Sequence, residues 1–370
     1  MIVNLRSQTD LAGFYIIYEG STNLEKRGNY GISHLMEHLV CKSFEHLREA
    51  FEREGIDWNA YTSSNEIVFY FTGLDENLNK RRYDLIELMS NFDITKKDFE
   101  KEKKIVLQEY TNYFADQTEA HQLNLHRKLF KDYDPIGLRQ DLEELKFMDA
   151  LNFWELQFAK PSKIINVSPK TRFDSDVDFA KRNLTKKIEF GPYDDVILEK
   201  MPDFGEKSSL IMMSPLVDKD FNYITFINAM LSLGLSSPLY SEVREKRGLV
   251  YYIRCSQARM NKQGLTTITT QTSKENVDAV YEAVKEVIDN PDKFLTKDRF
   301  ETIRDSYIIK MKKEKINRFG NVNRWINPKG WGIKEIIETV TLDKIREVYD
   351  NNFKFDDFYL SCDKDEFSKK

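Results

Sequence analysis

Cysteine and histidine are both scarce in this chain, and long apolar runs are missing altogether. The three cysteines, Cys41, Cys255 and Cys362, are odd in number and far apart, which excludes a disulfide framework and fits reduced thiols in a reducing compartment. No apolar stretch approaches the length needed to span a bilayer, so a membrane protein is not expected. Met1 to Leu11 has neither a basic region followed by an apolar one nor an Arg-rich amphipathic pattern. A secretion signal or organelle presequence is therefore not expected, and a cytoplasmic protein is. Basic residues are not in excess either: the net charge is −5, which argues against a general nucleic-acid binder. The acidity belongs to the first part, where residues 1–150 hold 19 Lys and Arg against 27 Asp and Glu.

What remains is the composition of a globular protein, 41% hydrophobic and 32% charged over 370 residues. That length is generous for one core, and two domains are the natural expectation. Of the five histidines, two stand four apart in Gly31-Ile32-Ser33-His34-Leu35-Met36-Glu37-His38, an H-x-x-E-H motif inside a run with amphipathic helical spacing. On a helix, His34 and His38 share one face, with Glu37 beside them. Two imidazoles so placed can hold one zinc ion, and the neighbouring carboxylate can take a proton from water bound to it. Cys41, one turn beyond His38, is either a soft ligand or a small buried hydrophobe.

In chain order, Gly13 to Tyr18 reads as a strand, Ser21 to Tyr30 as a loop, and the motif helix follows with Ser33 as its cap. Phe44 to Glu54 reads as a helix ending at Gly55. Trp58 to Thr62 continuing into Ile67 to Thr72 reads as strand, from its β-branched and aromatic residues. Leu78 to Phe92, Thr95 to Phe114, Glu119 to Phe130 and Met148 to Phe158 read as helices, and Ile164 to Val167 as a strand. His121 and His126, five apart, read as ordinary helix residues.

Glu102 and Glu109 lie seven apart, hence on one helix face. Ile105, Val106, Leu107 and Tyr110 make that helix apolar enough for a carboxylate to need a partner or a metal. Glu109 could complete the three protein ligands of a catalytic zinc. The alternative is a solvated face shared with Lys101, Lys103 and Lys104.

The second half repeats the plan. Leu210 to Met213 reads as strand, Tyr223 to Leu233 and Pro238 to Arg247 as helices, and Leu249 to Arg254 with Leu265 to Thr272 as a hairpin. Val277 to Asp289, Lys297 to Glu314 and Leu342 to Asn351 read as helices, and Phe358 to Ser361 as a last strand. This is a duplicated α+β unit, each copy a mainly antiparallel sheet packed against helices. The expected domains are 1–180 and 206–370, with a charged, proline-broken linker at 181–205.

With these residues in view, the chain resembles the pitrilysin/insulinase family of inverted-motif zinc peptidases, in its two-domain branch that includes mitochondrial processing peptidase. The resemblance covers nearly the whole chain. E-K-K-I-V-L-Q-E, Glu102 to Glu109, is similar to the family's second ligand helix, with Glu109 on zinc beside His34 and His38. It implies that Glu102 orients a ligand or the base, and that Glu37 is the base. N-A-Y-T-S at Asn59 to Ser63 is similar to the edge strand on which substrate is laid, which points to Asn59, Ala60, Tyr61 and Thr62. R-E-K-R-G-L-V-Y, Arg244 to Tyr251, resembles the second-domain signature whose arginine and tyrosine complete the site. The resemblance further implies half of a clamshell, so that two chains close one chamber. A homodimer follows, with Arg244 and Tyr251 acting on the partner's zinc site. The activity implied is a zinc-dependent endopeptidase of peptides or unfolded segments. The alternative is a non-catalytic or partner-dependent subunit of the same fold.

Overall fold

The computed structural model describes residues 1–130, 134, 136–181, 190–260, 263–316, 322, 326 and 332–362. The chain divides into two compact units that exchange segments. Unit one comprises Met1–Thr111, Asp132–Lys186 and Lys313–Lys329, and unit two comprises Asn112–Lys131, Lys187–Lys312 and Gly330–Lys370. Of the linker expected at 181–205, residues 182–189 lie outside the described ones.

Unit one is built on a five-stranded sheet: β1 (Ile2–Arg6), β2 (Leu11–Glu19), β3 (Asp57–Thr62), β4 (Glu66–Leu74) and β5 (Lys163–Ser168), in the order β1-β5-β2-β4-β3. All pairings are antiparallel except β1 with β5. β1 was not expected from the sequence: its five residues alternate too weakly to announce a strand, and its parallel partner lies some 160 residues away. The stretch from Trp58 to Thr72, expected as one continuing strand, is a hairpin. It turns at Ser63, whose N–H donates to the Glu66 carbonyl at 2.9 Å.

Helix α1 (Ile32–Ser43) carries the H-x-x-E-H motif and lies on this sheet. Its Leu35, Met36, Leu39 and Val40 are buried, while His34, Glu37, His38 and Cys41 keep partial access to solvent. Ser33 is not its cap. That position is Gly31, left-handed at φ 95°, where a Cβ would meet Leu142 at 2.7 Å. The run expected as a helix over Phe44 to Glu54 breaks into a short 3-10 turn and α2 (Arg48–Glu54). Phe44, fully buried at the end of α1, meets the rings of Trp58, Phe69 and Phe71 at centroid distances of 5.9, 6.4 and 5.6 Å. Aromatic pairs of this kind add about 0.5–1.5 kcal/mol each beyond their burial, so Phe44 fastens the motif helix to the last two strands of the sheet. Helices α3 (Asp75–Ser90) and α4 (Lys96–Ala115) follow. On the opposite face of the sheet, Val322 packs with Val3, Tyr15, Ile17 and Val68.

After α5 (Gln117–Leu129), α6 (Arg139–Glu144) and α7 (Phe147–Gln157), unit two adds β6 (Lys207–Val217), α8 (Phe221–Ser232), β7 (Ile253–Met260), β8 (Gln263–Ser273), α9 (Val277–Ile288), α10 (Lys297–Ile316), α11 (Ile333–Thr339), α12 (Leu342–Asn352) and β9 (Tyr359–Ser361). Its sheet runs β7-β8-β6-β9. That is the order β3-β4-β2-β5 of unit one over again, as the duplication predicts. The hairpin is shifted from its expected place: the first strand begins at Ile253 rather than Leu249. Pro238 to Arg247, expected as an ordinary helix, contains a π-helical stretch at Tyr240–Lys246.

Helix α5 joins unit two through side-chain hydrogen bonds. Gln271 Nε2 donates to Thr118 Oγ1 at 2.8 Å, Gln117 Nε2 donates to the Lys207 carbonyl at 2.9 Å, and His121 Nδ1 lies 2.9 Å from Ser361 Oγ. His121 is thus tied into unit two, and both it and His126 are buried. Burial, and then the charge of Arg127, lower His126 from 6.5 to about 3. Between those values the unfolded chain holds a proton at this position that the folded chain does not. Unfolding free energy must therefore fall as the pH is lowered through that window, by up to about 1.4 kcal/mol per pH unit from this residue. Urea titrations of the wild type and His126→Gln from pH 7 to pH 4 should show a shallower acid decline in the variant; equal slopes would refute the assignment.

Candidate metal centre

The site is assembled from two helices of unit one. Along α1, His34 and His38 stand one turn apart, with ring centroids 4.9 Å from each other. From α4, Glu109 brings Oε2 to 3.5 Å from Nε2 of His34 and 3.5 Å from Nε2 of His38. A tetrahedral zinc with bonds of about 2.0–2.1 Å requires ligand atoms about 3.3 Å apart. Among the described residues, His34, His38 and Glu109 form a group whose ligand atoms all lie within 4.8 Å of one another. The donor set therefore fits zinc. Burial and the neighbouring His38 hold His34 down at about 4, so at neutral pH it presents a lone pair and not a charge.

The two glutamates of α4 differ in a way the apolar surroundings did not foretell. Glu102 is buried, whereas the Glu109 side chain is 48% exposed. The argument that burial demands a partner holds for Glu102 and fails for Glu109. Glu102 Oε2 lies 3.6 Å from Nδ1 of His38, the ring nitrogen turned away from the cluster. From there it favours a proton on Nδ1 and leaves Nε2 free to ligate.

Glu37 projects from the same face of α1. The hydroxyl of Thr62 donates to its Oε2. Burial raises Glu37 above its ordinary carboxylate value, the hydrogen bond from Thr62 and the electrostatic influence of nearby His38 work against that, and the charge of Glu109 adds to it. Thr62, expected only as part of a substrate-binding strand, thus also holds Glu37. Nothing in the spacing of the sequence announced its contact with Glu37. Cys41 is pushed well up by burial and by Glu37 and Glu102. It stays a thiol and is not one of the clustered ligands.

Strand β3 lies at the free edge of the sheet. With Ser63 N–H bonded to Glu66, the antiparallel register turns the backbone groups of Trp58, Ala60 and Thr62 away from β4. The Ala60 N–H is held by its neighbour's Oδ1, Asn59, at 2.8 Å. Tyr61, on the alternate set with Asp57 and Asn59, is 39% exposed. A groove of about 600 Å³, lined by Glu37, His38, Cys41, Trp58, Asn59 and Glu102 among others, joins the start of this strand to the motif helix.

Arg244 and Tyr251 belong to unit two, where the structure brings them together. The chain reverses at Gly248, at φ 63°, and the Arg244 guanidinium lies 4.6 Å from the ring of Tyr240 and 4.9 Å from that of Tyr251. Tyr251 is 79% exposed.

A family model described as "Insulinase (Peptidase family M16)" matches residues 13–135, and one described as "Peptidase M16 inactive domain" matches residues 182–307. An uncharacterised zinc protease of Rickettsia felis is 23% identical over 296 residues, covering 75% of this chain and 72% of the relative. A mitochondrial-processing peptidase subunit beta of Neurospora crassa is 21% identical over 210 residues, covering 54% and 44%. Among solved structures, a protease from Helicobacter pylori superposes with a TM-score of 0.80 at 15% identity, covering 98% of this chain and 96% of that one.

If Glu102 acts through His38, Glu102→Gln should weaken zinc binding about 10- to 100-fold without abolishing it, while Cys41→Ala leaves it unchanged. Competition with a chromogenic chelator measures both. Wild-type affinity in Glu102→Gln, or a loss in Cys41→Ala, would contradict this division.

Proposed function

The chain belongs to the insulinase family of peptidases (peptidase family M16), and from that premise we propose that it is a zinc-dependent endopeptidase hydrolysing peptides or unfolded polypeptide segments. The observation that carries this reading is the convergence of His34 Nε2, His38 Nε2 and Glu109 Oε2. These three residues would hold the zinc, which when bound supplies a water acidified to near neutral pH and an electrophile for the scissile carbonyl.

The chain's own groups supply the rest. Glu37 takes up the proton of the attacking water and delivers it to the leaving amine. Burial has moved it toward the pH at which it must do both. Thr62 holds Oε2 of Glu37, so the second oxygen is the one left to exchange the proton. An extended substrate pairs with the outward backbone groups of Trp58, Ala60 and Thr62, displacing Asn59 from Ala60. Recognition through the main chain favours unfolded segments and tolerates many side chains. Asn59 and Tyr61 lie beside that path. Tyr251 donates a hydrogen bond to the developing oxyanion and Arg244 positions the carbonyl, a preorganised electrostatic role.

The family resemblance calls for four such α+β units around a closed chamber, and this chain supplies two. The proposed assembly is a homodimer in which Arg244 and Tyr251 serve the partner's metal site, a symmetric closed pair being the commonest arrangement. A cytoplasmic location belongs to the same proposal; among the described residues no helix is long and apolar enough to cross a membrane. A second reading, a non-catalytic or partner-dependent subunit of the same fold, draws on the match of residues 182–307 to a domain described as inactive.

Digestion of a diverse peptide mixture with and without a chelator, read by mass spectrometry, separates the two readings. Chelator-sensitive cleavage supports the enzyme. Zinc bound without any cleavage supports the subunit. Glu37→Gln should retain zinc and lose at least about 10²-fold in turnover, whereas His34→Ala, His38→Ala and Glu109→Gln should lose the metal as well. A Glu37→Gln chain purified without zinc would make Glu37 a ligand.

The trans arrangement has its own test. Glu37→Gln chains and Tyr251→Phe chains, allowed to exchange partners, should recover about a quarter of wild-type activity, since half the dimers are mixed and each has one intact site of two. No recovery after exchange is shown by tagged chains would rule it out.

A further inference from the structure

Between β2 and the motif helix runs a five-residue stretch, Ser21 to Glu25, that the mechanism above does not use. It is polar and it is buried: Ser21, Thr22, Asn23 and Glu25 are 0, 3, 5 and 1% exposed. It is also strained. Ser21 sits at φ 48°, and it is the one non-glycine residue with positive φ among those described. Gly20 before it, at φ 124°, has no room for a Cβ, which would fall 2.5 Å from Leu24. Buried polar groups and strained backbone are both costly, and both persist where surrounding structure over-determines them, commonly at functional sites.

The hydrogen bonds of this stretch run to two places. Toward the hairpin, the Gly20 N–H donates to the Asn65 carbonyl at 2.6 Å, and Asn23 Nδ2 donates to the Ser64 carbonyl at 2.7 Å and to Asn65 Oδ1 at 3.1 Å. Ser64 and Asn65 are the turn that closes β3 onto β4. Toward the helix, Glu25 accepts from the Gly31 N–H at 3.0 Å and from the Ser33 N–H at 2.8 Å. Those are the cap and the residue beside His34. Helix ends are ordinarily satisfied by a short cap at the surface. Here a buried carboxylate is brought in from six residues upstream.

We infer that Asn23 and Glu25 are positioning residues for peptide hydrolysis, one buried stretch setting the edge strand that receives the peptide against the helix that carries His34 and Glu37. The inference rests on the proposed peptidase function. Asn23 acts through the hairpin, and hence on substrate binding. Glu25 acts through the first turn of α1, and hence on the metal. Misplacement of reacting groups by about 1 Å can cost about 10²-fold in rate, so a clamp between these two elements bears directly on turnover.

The two residues are expected to fail differently. In Asn23→Ala, KM for a fluorogenic unstructured peptide should rise about tenfold while zinc affinity stays at the wild-type value. In Glu25→Gln, zinc affinity should fall about tenfold, in the range typical of groups that support a metal ligand, with kcat falling and KM little changed. Hydrogen exchange on the metal-free chains gives a readout independent of activity: exchange should quicken at residues 57–65 in the first variant and at residues 31–38 in the second. Glu25→Asp, which keeps the charge on a shorter arm, should recover part of the zinc affinity and serves as the second variant if Glu25→Gln does not fold. Variants that lose thermal stability yet keep wild-type KM, kcat and zinc affinity would reduce this stretch to a structural role and overturn the inference alone. A wild-type chain that neither binds zinc nor cleaves peptides would overturn the proposed function along with it.

Discussion

Three hydrogen-bond acceptors aimed at one point repel one another unless a cation stands between them. With a proton on the far nitrogen of each imidazole, His34, His38 and Glu109 form such a set, their facing atoms 3.5 Å apart at the two contacts with Glu109. Neighbouring groups hold them in that arrangement. The aromatic fastening of α1 to the sheet through Phe44, the cap from Glu25 and the carboxylate of Glu102 behind His38 all resist the relaxation that the set would otherwise undergo. A donor set held in place in this way leaves less for a metal ion to organise on binding.

How much of this could be read in the sequence follows from range. His34, Glu37 and His38 are fixed by helical spacing alone, and one local rule suffices to put them on one face. Glu109 comes from another helix, and its approach depends on the fold of everything between. Its apolar neighbours suggested burial, but in a helix neighbours in sequence point in different directions. It is Glu102 that turns inward. Ser33 has the right chemistry for a cap and stands two residues too late, because Gly31 can adopt the left-handed conformation and Glu25 reaches back to the N–H groups. The start of β7 was misplaced by four residues since Leu249 to Tyr252 are apolar and aromatic yet spent on the turn after Gly248. The duplicated architecture was legible because the order of elements survives where the residues do not.

That duplication also shows how one fold is specialised. β7 occupies in its sheet the place that β3 occupies in the other. Its backbone is engaged by helix α8: the Cys255 N–H donates to Ser232 Oγ, and the Ser256 carbonyl accepts from Asn228. In unit one the helix in the corresponding position sends its polar side chains elsewhere, His34 and His38 toward Glu109 and Glu37 to the hydroxyl of Thr62. One copy turns its helix onto the backbone of the edge strand, the other gathers a donor set beside it.

The bond from the Ala60 N–H to Asn59 bears on a hazard that any open strand carries. Unpaired main-chain groups in a row invite the same strand of another copy, and such pairing propagates into aggregates. Asn59 withdraws one donor from that row, and Asp57, exposed on the same strand, would face its own counterpart in an in-register parallel encounter between copies, like charge against like. A short flexible peptide can displace an amide side chain and bring a compensating charge. A folded neighbour presenting the identical strand can do neither easily. In-register parallel pairing of this strand between copies is thereby disfavoured.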